Sequence, residues 1–558
     1  MEQFTIMNNR KPKILFVGES HHLNTGYARI TKNLLERWHK TNKYEIAELA
    51  IYGDPQNSKT NCHWKVFFNL PNPGEEERFN SSTINQLGKF SFDNVCIEWM
   101  PDIVVDVRDI FMCGFEFDSP FRPFYYLFHQ ATVDAKPQAD EWIAAFTEAD
   151  GILTYSKWAG ELLKEYSNIN YLGWVPPCPD YNIYKPIQDL KNLRKFYGLE
   201  EDINILGFIG RNQKRKLIPD LLEAFEMFCG QAPQEIVNKT YLYLHTSYPD
   251  MGWELPTLLK EYGLTNKVLF SYKCKKCQTH MPSFFQDGLA VCKKCGSPSL
   301  IIPGVEFGLE EDELNQIYNL FDCYVHLSCA SGFEVPCVES AAAGIPGFVL
   351  NYSALEDFPE TIKAYPIKVL NYYREVETNR LFALPDKQDL VDKLITYLSL
   401  PKLPRNKRKF EVASSCRKNY NWDTTANKWM EIFDQLPLKD IRYTWFSPPR
   451  IHEPKKQIPN NLKNDEFVNW AIANVLGLPE LCNSYFAMKL TRYLNLGVNL
   501  TGGVTTIFAD MSVVSQNRPR NFDRNILLQE LYNRRMEYNQ LEITRIQYIQ
   551  RMQNADKV

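Results

Sequence analysis

Between Lys13 and about Gln435, short apolar runs alternate with amphipathic helical stretches, and the whole order occurs twice in succession. Parallel strands joined by helices are buried on both faces and therefore appear as unbroken apolar runs, so this alternation leaves little choice of architecture. In the first half, Ile14–Val17, Ile103–Val107 and Ile152–Tyr155 are expected strands, with helices over Ala28–Lys40 and Gln138–Ala149. The second half restarts with a strand over Ile205–Ile209 and a helix over Leu217–Phe228, whose Leu221, Leu222, Phe225 and Phe228 share one face. Trp174–Pro179, rich in proline and hence extended, begins the connection between the halves. The expectation is an α/β chain with two Rossmann-like domains, 1–187 and 188–423, facing a cleft and closed by a helix over 424–437. In such sheets ligands gather beyond the carboxyl ends of the strands, so the residues that follow each strand carry the chemistry.

A chain of 558 residues exceeds one hydrophobic core, in keeping with that division. With 44% hydrophobic and 23% charged residues it is ordinarily globular, and no apolar run is long enough to span a bilayer. Met1–Lys13 is polar and lacks a secretory pattern, so a cytoplasmic location is expected, in a host cytoplasm if the gene is viral. A net charge of −4 gives no global field for nucleic acid or acidic membrane, which leaves only local patches for either. The fourteen cysteines are expected as reduced thiols, most of them scattered small core residues.

Two segments have the chemistry of a nucleotide site. Gly210-Arg211-Asn212-Gln213-Lys214-Arg215-Lys216 lies between the strand that opens the second half and its helix, and cations with free backbone amides at such a place suit a diphosphate. A helix over Leu314–Phe321 and a strand over Tyr324–Leu327 then lead into Ser331-Gly332-Phe333-Glu334-Val335-Pro336-Cys337-Val338-Glu339-Ser340-Ala341-Ala342-Ala343-Gly344-Ile345-Pro346. This is a glycine loop, a short helix bearing a carboxylate, and a Gly-x-Pro stop; a carboxylate so placed can accept the hydroxyls of a ribose.

Together with Asn24-Thr25-Gly26-Tyr27-Ala28, Leu244-His245-Thr246 with Asp250-x-Gly252-Trp253, Asn351–Leu355 and Asn421-Trp422-Asp423, these blocks resemble the retaining glycosyltransferases of family 4, which have the GT-B fold. The resemblance extends over about Lys13–Gln435. It implies that Arg211 and Lys216 hold the donor diphosphate and stabilise it as it leaves, with Gly26, Gly332, Phe333 and Glu334 lining the donor and Glu339 binding the ribose. The family's first glutamate falls at Ser331 here, and Glu334 stands where the family has glycine. His129 and Asp134 are implied to orient the acceptor or handle its proton, and Tyr27, Arg108 and Asp109 to bind it; Gly26 is expected to make a tight turn. No Asp-x-Asp motif occupies a suitable loop, so no catalytic metal is expected, and the donor is a nucleotide-diphosphate hexose or pentose.

Cys274-x-x-Cys277 and Cys292-x-x-Cys295 have the spacing of two knuckles that share one structural Zn2+, in an insertion over 272–303 that follows a strand over Val268–Phe270. Lys273, Lys275, Lys276, Lys293 and Lys294 make it locally basic, with Asp287 as its acid; the lysines either offset the thiolates or follow a phosphate backbone. The zinc insertion resembles that of transferases encoded by large DNA viruses and phages, which implies a hydroxymethylated pyrimidine in DNA as acceptor; a polysaccharide, lipid or small glycan is the alternative. A non-enzymatic zinc-containing nucleic-acid adaptor and a GT-B epimerase also stand. Residues 438–558 form a prolyl linker and an accessory helical region. Its last helix, Asp523–Gln553, carries Leu527, Leu531, Tyr538, Leu541 and Tyr548 near heptad spacing and packs on its own domain or pairs two chains as a homo-oligomer.

Overall fold

The computed structural model describes residues 10–57, 62–286, 288, 290–304, 307–376, 378–455, 457–459, 461–496 and 522–555. Met1–Asn9 and Asp287, which enter the readings above, lie outside them.

The first half folds as a seven-stranded parallel sheet in the order β3-β2-β1-β4-β5-β6-β7. Its strands are β1 (Lys13–Glu19), β2 (Glu45–Ile51), β3 (Lys65–Phe68), β4 (Ile103–Asp106), β5 (Tyr126–Ala131), β6 (Gly151–Thr154) and β7 (Tyr171–Trp174). Ile14, Leu15, Phe16 and Val17 are each fully buried, because β1 lies in the middle of the sheet with helices on both faces. The strand order reverses between β1 and β4, so a crevice opens beyond their carboxyl ends, beside Thr25–Tyr27 and Arg108–Asp109.

The second half repeats the device. The second sheet orders as β11-β10-β9-β8-β13-β14-β15, with β8 (Asn204–Ile209), β9 (Thr240–His245), β10 (Val268–Cys274), β11 (His280–Phe284), β12 (Leu300–Ile301), β13 (Cys323–His326), β14 (Gly347–Leu350) and β15 (Tyr365–Ile367). Here the reversal falls between β8 and β13 and brings the loop after Ile209 against the loop after His326. A hairpin of β16 (Val369–Arg374) and β17 (Leu381–Pro385) reaches back to the first half, where Leu381 N–H bonds to Lys136 O at 2.8 Å.

The strand expected over Val268–Phe270 continues to Cys274, so the four-cysteine segment extends the sheet and does not interrupt it. β11 and β12 return antiparallel on either side of β10's far end, which buries Tyr272, Cys274 and even Lys273 between them.

The helix Trp422–Asp434 crosses back to the first half, where Trp429 and Phe433 pack edge-on against Trp38 of the helix Gly26–Lys40. The accessory region forms its own small core around Phe467, Phe486, Leu490, Leu527 and Leu531. It docks on the first half through Trp445, seated between Phe121 and Phe124, and through the helix Arg524–Ala555. That helix buries Leu527, Leu531, Tyr538 and Ile549 within its own chain, and Arg545 is fully enclosed beside Glu542 at 2.6 Å. Among the described residues no helix is long and apolar enough to cross a membrane.

Candidate functional site

The reversal of strand order in the second sheet brings two loops together around one carboxylate. Glu334 is the N-cap of the helix Val335–Ala342. Lys216 Nζ lies 2.5 Å from its Oε1, Arg215 Nη1 lies 3.0 Å from the same oxygen, and the Ser331 hydroxyl donates to it at 2.6 Å. His326 Nε2 lies 3.2 Å from Oε2. Burial alone would raise the Glu334 carboxyl, but Lys216, His326 and Arg215 overcome it and hold the group well below the carboxylate range. Burial, helped by Arg215, pushes the Lys216 ammonium down to about 8 against the opposing pull of Glu334.

Arg211 takes a different position from the one implied for it. Its guanidinium turns outward, half exposed, and donates to Asp250 at 2.8 and 3.1 Å. Asp250 is drawn down to about 2 by that bond. Arg215 stands beside Lys216 instead, because the single turn Lys214–Lys216 points both side chains toward β13. The loop is held from behind by Asn212, which accepts from Trp253 N–H at 2.8 Å and donates to Trp253 O at 2.7 Å. Gly252 permits this contact, since a Cβ there would lie 2.4 Å from the Asn212 carbonyl oxygen.

Glu339, on the same short helix, is also occupied. Arg29, from the first half, donates to its Oε1, and Tyr318 OH donates to its Oε2 at 2.9 Å. Arg29 Nε is 3.3 Å from Glu311 as well, so one arginine ties the first half to two elements of the second. Burial raises the Glu339 carboxyl, and Arg29 opposes that rise.

Across the cleft, Tyr27 OH and Thr132 Oγ1 are 3.2 Å apart, and both hydroxyls lie close enough to the Asp109 carboxyl to favour its charged form. Packing around Asp109, with Asp134 nearby, pushes it up to about 6. Asp134 pairs with Arg380 of the hairpin, and its carbonyl accepts from Ser331 N–H at 3.2 Å. Gly332 meets Thr132 here: a Cβ would fall 2.6 Å from Thr132 Cγ2. Tyr27, Asp109, Thr132 and Asp134 therefore face Ser331, Gly332, Arg215 and Arg380 over the seam between the two halves.

Besides Arg211, four residues depart from their expected positions. His129 is fully buried beneath the sheet, stacked on Phe146 at 6.1 Å, with its ring driven down to about 4 by burial; β5 turns it into the core and away from the seam. Arg108 is likewise enclosed, bound through Nε to Asp106 at 3.0 Å and through Nη1 to Leu87 O at 2.6 Å. Phe333 packs on Phe358 and Tyr420 at 5.5 and 5.8 Å. Gly26 makes no tight turn: it opens the helix Gly26–Lys40 behind the Thr25 cap, with nothing within 4 Å of where its Cβ would stand. Arg29, Arg215, Tyr318, His326 and Arg380 were not singled out in the sequence. Of these only Arg215 carried a signal, its place next to Lys216.

The four cysteines converge. Cys274 and Cys295 Sγ are 3.6 Å apart, and Cys277 and Cys292 Sγ are 3.7 Å apart, far beyond a disulfide. A tetrahedral zinc with bonds of ~2.3 Å sets sulfur separations of about 3.8 Å, which these residues fit. The two knuckles repeat each other: the amides of Cys274 and Cys292 donate to Thr279 and Ser297, and Gln278 and Gly296 take φ of 60° and 68°. Lys275, Lys276, Lys293 and Lys294 are exposed on them, whereas Lys273 is buried.

Two parallel α/β sheets facing one another across such a seam, with a helix crossing back, define the GT-B class of fold. No protein-family model and no curated protein sequence matches the chain. Solved structures share its fold at low identity. A sucrose-phosphate synthase from Thermosynechococcus elongatus is 14% identical with a TM-score of 0.53, covering 76% of this chain and 99% of that one. A glycosyltransferase from Rickettsia africae is 12% identical with a TM-score of 0.52, covering 76% and 98%. Anabaena HepE, in complex with UDP and glucose, is 14% identical with a TM-score of 0.52, covering 76% and 100%.

Proposed function

We propose that this chain is a nucleotide-sugar-dependent glycosyltransferase that moves a hexose or pentose onto a hydroxyl with retention of configuration. The observation that carries the reading is the buried Lys216 beside Arg215 at the β8/β13 crevice, paired with Glu334, which stands five residues before the ribose-suited Glu339. A departing diphosphate needs cations preorganised in a dry site, and removing one such group costs roughly 3 kcal/mol, about a hundredfold in rate. Lys216 and Arg215 supply that charge without a divalent ion. HepE holds UDP and UDP-glucose, so a uridine donor is the first to test.

Donor entry requires both carboxylates to be released: Glu339 from Arg29, by separation of the two halves, and Glu334 from Lys216. Once freed, Arg29 stands over the nucleotide from the acceptor side. Asp109 and Asp134, with the Tyr27 and Thr132 hydroxyls, orient the incoming hydroxyl, and this acidic wall favours a neutral glycan. The exposed lysines of the ribbon, which leaves the same carboxyl end of the sheet as the crevice, favour a hydroxymethylated pyrimidine in DNA, extruded for reaction.

The test is titration of UDP and a panel of sugar nucleotides by calorimetry, then transfer to simple glycans and to hydroxymethylated DNA. Binding of a sugar nucleotide by the native chain and its loss in Lys216→Ala is the expected result. A folded native chain with no affinity for any sugar nucleotide or diphosphate product would overturn the reading.

A further inference from the structure

The four-cysteine ribbon touches the second half at one buried polar junction. Lys273, one residue before Cys274, is 5% exposed and donates from Nζ to Glu313 Oε2 at 3.0 Å and to Gly308 O at 3.1 Å. His280, three residues after Cys277, is 7% exposed and has Nδ1 3.2 Å from Glu313 Oε1, with Tyr197 OH against its other nitrogen. Tyr197 in turn donates to Gln316 at 2.6 Å. Glu313 and Gln316 both lie on the helix Glu311–Leu320, and Glu313 also closes its capping box by accepting from Glu310 N–H at 2.8 Å.

That helix carries two groups into the nucleotide subsite. Tyr318 OH holds Glu339 Oε2 at 2.9 Å, and Glu311 lies 3.3 Å from Arg29. The chain of contacts from thiolates to ribose carboxylate is therefore short, and buried at Lys273, His280, Tyr318 and Glu339, with Glu313 partly exposed between them. Its first links are set by the cysteine cluster: the four sulfurs lie within 4.8 Å of one another and, with the β10–β12 pairing and the bond from Lys275 N–H to Ser299 O at 2.9 Å, hold the two knuckles together across the ribbon's tip. One Zn2+ bound by the four sulfurs fixes the far ends of β10 and β11, and so fixes where Lys273 and His280 meet Glu313.

We infer that the zinc ribbon is a positioning element for the nucleotide subsite, acting through Lys273 and His280 on Glu313 and thence through Tyr318 on Glu339. This rests on the donor reading given above for Glu339. It assigns the insertion a role in affinity for the nucleotide and not in the chemistry of transfer: Lys273, His280 and Glu313 are positioning residues.

The experiment uses the full chain in five forms: zinc-loaded, stripped with a chelator, stripped and reloaded with Zn2+, and the variants Lys273→Met and Lys273→Arg with zinc retained. Metal content is measured by mass spectrometry, UDP affinity by calorimetry, and amide hydrogen exchange over 311–320 and 335–342 without any ligand. We expect one zinc per chain, and UDP binding about tenfold weaker both after stripping and in Lys273→Met, the size of an ordinary coupling between sites. Reloading and Lys273→Arg restore it, and exchange accelerates in the two helices while the first sheet is unchanged. A chain that holds no zinc, or a Lys273→Met variant that keeps its zinc with unaltered exchange over 311–320, would sink the inference. Because exchange is read without nucleotide, absence of UDP binding in the loaded native chain falls on the donor reading, while the coupling from ribbon to helix is judged separately.

Discussion

Replacing Glu334 by glutamine removes a negative charge from the spot where a diphosphate would meet its cations. In the closed site Lys216 and Arg215 both spend themselves on one oxygen of Glu334, at 2.5 and 3.0 Å. A phosphoryl oxygen bonded to Lys216 on its free side would sit about 4–5 Å from that oxygen, where like charges in an environment of effective dielectric ~20 repel by about 3–4 kcal/mol. Water admitted as the halves separate weakens this, and ~1.4 kcal/mol corresponds to a tenfold change, so UDP should bind Glu334→Gln at least ~10-fold and up to ~100-fold more tightly. The variant also leaves Lys216 buried beside Arg215 without a counter-ion, at a cost of roughly 3 kcal/mol of stability. It should therefore melt below the native chain when empty and gain more on adding UDP. Calorimetry at pH 6, set well below 8 because losing the pull of Glu334 lowers the lysine further, with thermal denaturation in parallel, makes the measurement. A folded Glu334→Gln that binds UDP no better than the native chain would refute the idea that this carboxylate competes with phosphate, and weaker binding would assign Glu334 to the donor's recognition instead.

Lys216→Ala should lower transfer by a hundredfold or more, whereas Arg211→Ala, which loses a half-exposed ion pair to Asp250, should cost about tenfold or less; equal effects in steady-state rates would reject this division. With Lys216 brought down to about 8, its ammonium is present below that pH and lost above it, so UDP affinity should hold from pH 6 to 7.5 and fall as pH rises through 8. A binding profile flat to pH 9 would contradict it. Arg545→Ala should destabilise the chain by about 2–3 kcal/mol in a denaturant titration, because it leaves the carbonyls of Ser447 and Pro448 without their donor and buried Glu542 with Arg450 alone. A loss under about 1 kcal/mol would mean that the last helix is not anchored there.

The strands were legible wherever burial on both faces forces a continuous apolar run, as in Ile14–Val17 and Ile205–Ile209, and with them came the switch points that locate the crevices. The far end of β10 was not, since Ser271-Tyr272-Lys273 gains its place from antiparallel neighbours supplied by the ribbon, which no local pattern encodes. The four cysteines were legible because their spacing alone restricts their geometry, whereas Lys216 was singled out by the resemblance its loop carries. His129 and Arg108 illustrate the opposite case: their positions after a strand suit a ligand, but the direction of each side chain depends on the pleat and on Asp106, a carboxylate inside the sheet that claims Arg108.

The hardest residues to foresee are the partners of charge. Arg29 sits 310 positions from Glu339 and Arg380 sits 246 from Asp134, each on an element of the opposite half. Nothing in a helix that reads Gly26-Tyr27-Ala28-Arg29 distinguishes a solvated arginine from one that closes a cleft. The distinction arises only when two sheets face each other and buried carboxylates must be matched, for an unmatched one would shift its proton or the structure would open. Those same pairs make the closed form self-sufficient without nucleotide: each acid of the donor helix already has a cation. A donor must therefore exchange partners and cannot simply fill a void, so its net affinity is the difference between its contacts and the ion pairs it breaks. On that argument Arg29→Ala, which frees Glu339 without touching Lys216, should tighten a nucleoside that lacks phosphate while changing inorganic diphosphate little, and a parallel shift in both would show that the two subsites open as one.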